Sequence, residues 1–200
     1  MDEHKLDDEA LIQQIALNDL DAFKELFSRY RIAVFNTCYR LIGDIQQAED
    51  AAQDVFLKIY RSAGSFRGKS KASTWIYRIS INLSLNLVRR NRRSRWMQSL
   101  STGLKNPAAR ERTPPSPQRD EPDKRFEKKE MQGLLKKSFD SLPDGQRAAF
   151  ILSKSENLTA SEIAGILEIS VNAVEARIHR AKKSLQKKIT ACIVKKPEEP

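Results

Sequence analysis

Residues 158–181, LTASEIAGILEISVNAVEARIHRA, decide how the whole chain is read. Leu158 to Leu167 form a capped helical stretch, Glu168-Ile169-Ser170 a turn, and Val171 to Ala181 a second helix, which together spell a helix-turn-helix. The motif needs a small residue inside its first helix, an apolar residue in the turn and apolar positions on the inner side of the second helix. Ala164, Ile169, Val174 and Ile178 meet those needs. The outer face then carries Asn172, Ala173, Glu175, Ala176, Arg177 and Arg180, side chains suited to a major groove, where arginine takes guanine bidentately and glutamate accepts from cytosine. Lys182, Lys183, Lys187 and Lys188 continue the helix as phosphate contacts. A plain helical hairpin with an idle basic surface is the bland alternative. Glu168 fills a turn position where glycine is commonest, so a left-handed backbone there is expected to carry strain.

Upstream of the motif, a helix through Phe126, Met131, Leu134, Leu135 and Phe139 stops at Leu142-Pro143, and Asp144-Gly145 turns the chain into a helix from Gln146 to Ser153. Farther upstream, five of the eight prolines fall within residues 107–122. Proline lacks the donor that a helix interior or central strand requires, so residues 96–124 are expected to form an extended, partly disordered linker. The expected architecture is all-α, with a helical domain over residues 8–95 and a second over 125–190.

Helical spacing runs through the first domain. Leu11, Ile12 and Ile15 make a short stripe, and Leu20 to Ile42 keep apolar spacing for six turns before Gly43. Asp44 is placed to cap a third helix, about residues 45–62, that buries Ala48, Ala52, Val55, Phe56 and Ile59. Gly64 and Gly68 bracket a loop. Ser73 or Thr74 is then expected to cap a fourth helix through Trp75, Ile76, Ile79, Leu83 and Leu87.

Charge separates these segments more sharply than hydropathy does. The chain of 200 residues holds 36 Lys or Arg against 26 Asp or Glu, a net charge of +10. Residues 1–25 carry eight acids, whereas residues 61–95 carry ten bases and no acid. A solvated helix face usually balances its bases with acids one turn away. With none present, a polyanion is the natural partner. Phe66, Arg67, Ser70, Lys71, Trp75 and Arg78 interleave bases, a hydroxyl and aromatic rings, a mixture suited to an unpaired strand whose bases stack while cations hold the backbone. Phe66, between glycines, is expected to be exposed, and Trp75 is as well placed for the core as for a base. Arg78, Asn82 and Asn86 recur every four residues along one ridge.

Several classes are disfavoured at once. No segment approaches the length of a spanning helix, and the acidic N-terminus does not resemble a secretory signal, so the protein is expected to be cytoplasmic without membrane insertion. Cys38 and Cys192 lack a CxxC partner and are expected to be reduced thiols. His4 and His179 offer no zinc spacing, no phosphate-binding loop of the GxxxxGK type occurs, and no nucleophile, base and orienter stand at recognisable spacing. Neither metal, cofactor nor small-molecule substrate is expected, and the chain is not read as an enzyme.

Four segments, Asp44 to Tyr60, Phe66 to Arg93, Leu142 to Leu152 and Leu158 to Leu185, resemble the bacterial extracytoplasmic-function (ECF) sigma factors of the sigma-70 family. The resemblance implies a promoter-specificity subunit that binds core RNA polymerase and promoter DNA and helps melt the start region, with an anti-sigma factor as a further expected partner. It implies polymerase docking through Asp50, Gln53, Asp54 and Phe56. A pocket for a flipped minus-10 base is implied at Phe66 to Lys71, with the minus-10 reading helix at Arg78, Asn82 and Asn86, and minus-35 reading at Asn172 to Arg180 with Lys183 beside it. Ala173 and Ala176 replace hydroxyl residues common in the family, and the Pro-rich segment corresponds to the linker that threads toward the RNA exit path. The alternative is a dimeric helix-turn-helix regulator that uses residues 1–95 as a sensor.

Overall fold

The computed structural model describes residues 6–101, 133–134, 137–154 and 158–193. Helix α1 spans Asp8–Ala16, α2 Leu20–Ile42 and α3 Ile45–Ser62, followed by a short 3-10 turn at Ala63–Ser65. Aspartate starts each of the three helices. The carboxylates of Asp7, Asp19 and Asp44 accept first-turn backbone N–H groups that have no partner within the helix. Gly43 ends α2 in the left-handed region at φ 75°, where a side chain would be penalised.

Helix α4 runs from Ala72 to Ser101. Ser73 and Thr74, expected as its caps, lie inside the first turn, and Thr74 is buried. The cap comes instead from α1, where Glu9 Oε1 accepts the Ala72 N–H at 2.7 Å. The helix continues through residues 96–101, the start of the expected linker, and the rest of that segment lies outside the described residues. Phe126, Met131 and Leu135 of the next expected helix also lie outside them, while residues 137–140 are helical.

Helix α5 spans Asp144–Leu152, α6 Ala160–Leu167 and α7 Val171–Ile193. Thr159 and Glu162 form a reciprocal capping box on α6. Glu168 closes α6 at φ 55°, ψ 45°, so the expected left-handed turn occurs on a non-glycine residue. Ser170 Oγ then accepts the Ala173 N–H at 3.2 Å to start α7.

One core lies among α1 to α4 and contains Leu26, Val55, Phe56, Ile59 and Ile76. A second is shared between the two halves of the chain: Leu41 of α2 and Ile81 and Leu85 of α4 join Ala148, Ile151, Leu152, Ile163, Ile166 and Val174. Leu142, Ala181 and Leu185 form a third, smaller cluster with Phe139 and Phe150. Helix α4 is therefore buried on two sides. Its Ile76, Ile79, Leu83 and Leu87 face the first core, while Ile81 and Leu85 face the helix-turn-helix.

Candidate nucleic-acid interface

The loop before α4 presents Arg67 and Lys71 to solvent, with Ser70 half-buried between them. Phe66 corrects the expectation of exposure: it is half-buried, packed on the first core, with its ring centroid 5.3 Å from that of Trp75. Both rings thus form part of the wall beneath a basic rim. Two of the bases at that rim, Lys71 and Arg78, have partners. Lys71 Nζ donates to Glu162 of α6 at 2.8 Å, and Arg78 donates through Nη2 to the Gly165 carbonyl at 2.6 Å and lies 2.9 Å from Glu168 through Nη1. The Lys71 ammonium and the Thr159 backbone N–H together pull the Glu162 carboxyl down to about 2.

Asn82 and Asn86 are exposed, and the ridge they share with Arg78 runs down into a groove. Asn86 lines a groove of about 450 Å³ between α3 and α4, opposite Asp50 and Asp54. Across it Asn91 Nδ2 donates to Gln47 Oε1 at 2.6 Å. The geometry thus joins the lower end of the ridge to the acidic face of α3. On that face Asp50, Gln53 and Asp54 are exposed. Phe56 is 5% exposed and meets Phe23 and Phe27 edge-on, so it supports α3 from inside and cannot itself touch a partner.

On α7, Asn172, Glu175, Arg180 and Lys183 are exposed, and Ala173 and Ala176 are half-buried among them. Val174 is fully buried, as the inner face of the motif requires. Arg177 is half-buried over the first turn of α5, where a Cβ at position 145 would come within 2.8 Å of its Nη1. Gly145 therefore leaves the space in which that guanidinium lies.

Sequence reasoning missed the acids of the second half. Asp144 accepts from Arg89 at 2.7 Å, and Arg92 lies 3.8 Å from it and donates to the Asp140 carbonyl at 2.8 Å. Arg147, 3% exposed, pairs with Asp140 at 2.9 Å and donates to the Leu41 carbonyl at the end of α2. In sequence Asp144 and Glu162 look like ordinary helix-start acids, and only their neighbours in space reveal a second role.

Among the described residues no helix is long and apolar enough to cross a membrane, and no group of three or more His, Cys, Asp or Glu is placed to hold a metal ion. Cys38 is a buried free thiol, and burial pushes its pKa up.

Residues 26–94 match the family described as Sigma-70 region 2, and residues 132–185 match Sigma-70, region 4. The chain is 32% identical over 188 residues to the ECF RNA polymerase sigma-E factor of Haemophilus influenzae, covering 92% of this chain and 96% of that protein. It is 29% identical over 178 residues to the ECF RNA polymerase sigma factor SigW of Bacillus subtilis, covering 89% and 94%. Among solved structures, the sigma factor RpoE in complex with the anti-sigma factor NepR from Bartonella quintana shares the fold, with a TM-score of 0.58 at 22% identity over 84% of this chain and 96% of that one. The region 2 match takes up the segment that a dimeric regulator would use as its sensor. With region 2 on the α2 to α4 body, region 4 on the helix-turn-helix and this identity over nearly the full length, the chain belongs to the ECF RNA polymerase sigma factors.

Proposed function

We propose that this sigma factor reads promoters with two separate surfaces and docks on core RNA polymerase with a third. In this reading residues 8–95 bind the polymerase and the minus-10 element, residues 125–190 bind the minus-35 element, and the segment between them spans the distance. Asp50, Gln53 and Asp54 offer exposed acids and an amide to a basic surface on the polymerase. Lys71, Arg78 and Asn82 contact the minus-10 strand above the Phe66 and Trp75 wall, and Asn172, Glu175, Arg177, Arg180 and Lys183 address the upstream duplex. The protein contributes address and strand capture and has no turnover chemistry of its own. An anti-sigma factor holds it inactive, a reading supported by the NepR complex of the structural neighbour.

The observation that carries this reading is the acid-free run of ten bases over residues 61–95, joined in one chain to a helix-turn-helix with an exposed basic outer face. Run-off transcription with purified core polymerase and a promoter library tests it. Asp50→Arg is expected to abolish holoenzyme formation while the thermal melt stays unchanged. Arg177→Ala is expected to lose about 1–3 kcal/mol of upstream-element recognition. Full transcription by Asp50→Arg would remove the docking assignment, and equal output of Arg177→Ala from promoters with and without the upstream element would remove the reading of α7.

A further inference from the structure

We infer that Glu9 is a positioning residue for minus-10 strand capture, its carboxylate fixing from α1 the far end of the Phe66 to Lys71 loop so that the loop meets a flipped base in one shape. The inference rests on the minus-10 reading of that loop given above and adds to it a residue that touches no DNA. Six residues without helix or strand, Phe66 to Lys71, separate the 3-10 turn at Ala63–Ser65 from α4. Ala63 and Ala72, on either side of them, are both buried in the first core, where they join Leu11, Ile12 and Ile15 of α1. Helix α1 packs against the turn and against the start of α4, so it holds both ends of the loop.

The two ends are fixed by different means. The near end closes on itself, with the Phe66 N–H donating to the Ala63 carbonyl at 3.0 Å and Ser65 Oγ to the Ser62 carbonyl at 2.6 Å. At the far end Lys71 stands in the N-cap position of α4, and its carbonyl accepts the Trp75 N–H at 3.2 Å. A cap residue ordinarily supplies a side-chain oxygen to the first-turn N–H groups, and an ammonium has none to give. The loop thus places at the cap a cation suited to a phosphate, and the missing acceptor comes from Glu9 Oε1, 2.7 Å from the Ala72 nitrogen. Glu9 is itself held in place. Asp7 caps α1 by accepting the Ala10 N–H, and Asp8 accepts from Arg29 Nη1 at 2.7 Å and from the Tyr30 hydroxyl, which ties the start of α1 to α2. Three consecutive acids therefore have three separate partners, and the third reaches the loop. The first turn of α4 also carries Trp75, whose ring packs on Phe66, so the bond at Ala72 sets the wall as well as the rim. Freed at Ala72, the loop would spread over more conformations, and the fraction fit to take the base would fall.

Holoenzyme reconstituted with core polymerase is titrated against a labelled forked template carrying the best promoter of the run-off library. Fluorescence anisotropy reads the dissociation constant with each minus-10 base of the unpaired strand intact or replaced by an abasic site. The ratio of the two constants measures base capture, and a smaller folded fraction of the factor lowers both affinities alike and cancels in it. At the position where the parent ratio is largest, Glu9→Ala is expected to lower the ratio about three- to tenfold. Glu9→Gln, whose amide oxygen can still accept the Ala72 N–H, is expected to stay within about twofold of the parent. Asp19→Ala, which removes a cap of the same kind from α2, is expected to keep the parent ratio. A Glu9→Ala ratio equal to the parent's, whether or not affinity falls on both templates, overturns the inference. So does an equal fall in Glu9→Gln, which would assign the effect to charge, or in Asp19→Ala, which would assign it to general loosening. If the parent does not distinguish intact from abasic templates at any position, the minus-10 reading of the loop fails and the inference falls with it.

Discussion

Phe56 and Asp54 sit two positions apart on α3 and have opposite fates, because two residues on a helix are separated by about 200°. Phe56 is 5% exposed among aromatic rings, and Asp54 lies in solvent beside the groove. Phe56→Ala is therefore expected to cost about 3–5 kcal/mol in urea unfolding, from lost burial and the cavity left behind. Asp54→Ala is expected to stay within about 0.5 kcal/mol on the same measurement. Glu162 gives a pH-dependent counterpart. Folding holds its carboxyl at about 2, chiefly through the Lys71 ammonium and the Thr159 N–H, against 4.5 for the free group. The unfolded chain thus binds this proton first as pH falls. The stabilisation is fully present above about 4.5 and is lost progressively as pH drops toward 2. Glu162→Gln is expected to flatten that part of the melting temperature against pH curve, and an unaltered slope would contradict the assignment.

Helix α4 differs from α1, α2 and α3 in how it begins and in how it is buried. Those three helices carry their own aspartate caps, a short-range device visible in sequence. Helix α4 takes its cap from Glu9, 63 positions away. Glu9→Ala is expected to cost about 1 kcal/mol, as cap removal does elsewhere. Amide hydrogen exchange is expected to quicken in the first turn after Ala72, with α3 unchanged. Burial of α4 departs from the single stripe read through Ile76, Ile79, Leu83 and Leu87, because Ile81 and Leu85 lie about 200° from Ile79 and Leu83 and face the other half of the chain. A helix apolar on two sides has to be packed on two sides. In sequence the second stripe, Tyr77, Ile81 and Leu85, is flanked one position on by Arg78, Asn82 and Asn86, which is why that side reads as a polar ridge.

At the scale of the molecule, the two halves share a core, and the relative sizes of the terms decide what holds them. Burying a leucine or isoleucine contributes about 1.5–3 kcal/mol, while an exposed ion pair contributes about 0–1 kcal/mol. Ile81, Leu85 and Leu41 therefore supply the adhesion, and the ion pairs set the register. Arg147 is the exception, because its guanidinium is buried and bonds both Asp140 and the Leu41 carbonyl. Arg147→Met is expected to keep each half folded while weakening their contact by about 1.5–3 kcal/mol, read as faster hydrogen exchange at the end of α2 and in α5. The sequence by itself determined the run of helices, the boundary at Gly43 and Asp44, the helix-turn-helix and the basic segment, because capping and periodicity act over a few residues. Tertiary structure alone decided that Phe56 supports α3 from within, that Glu9 caps α4, and that Lys71 and Arg78 meet acids from the second half. Those outcomes depend on side chains brought together from distant parts of the chain, and no local pattern encodes which of several exposed acids a given arginine will meet.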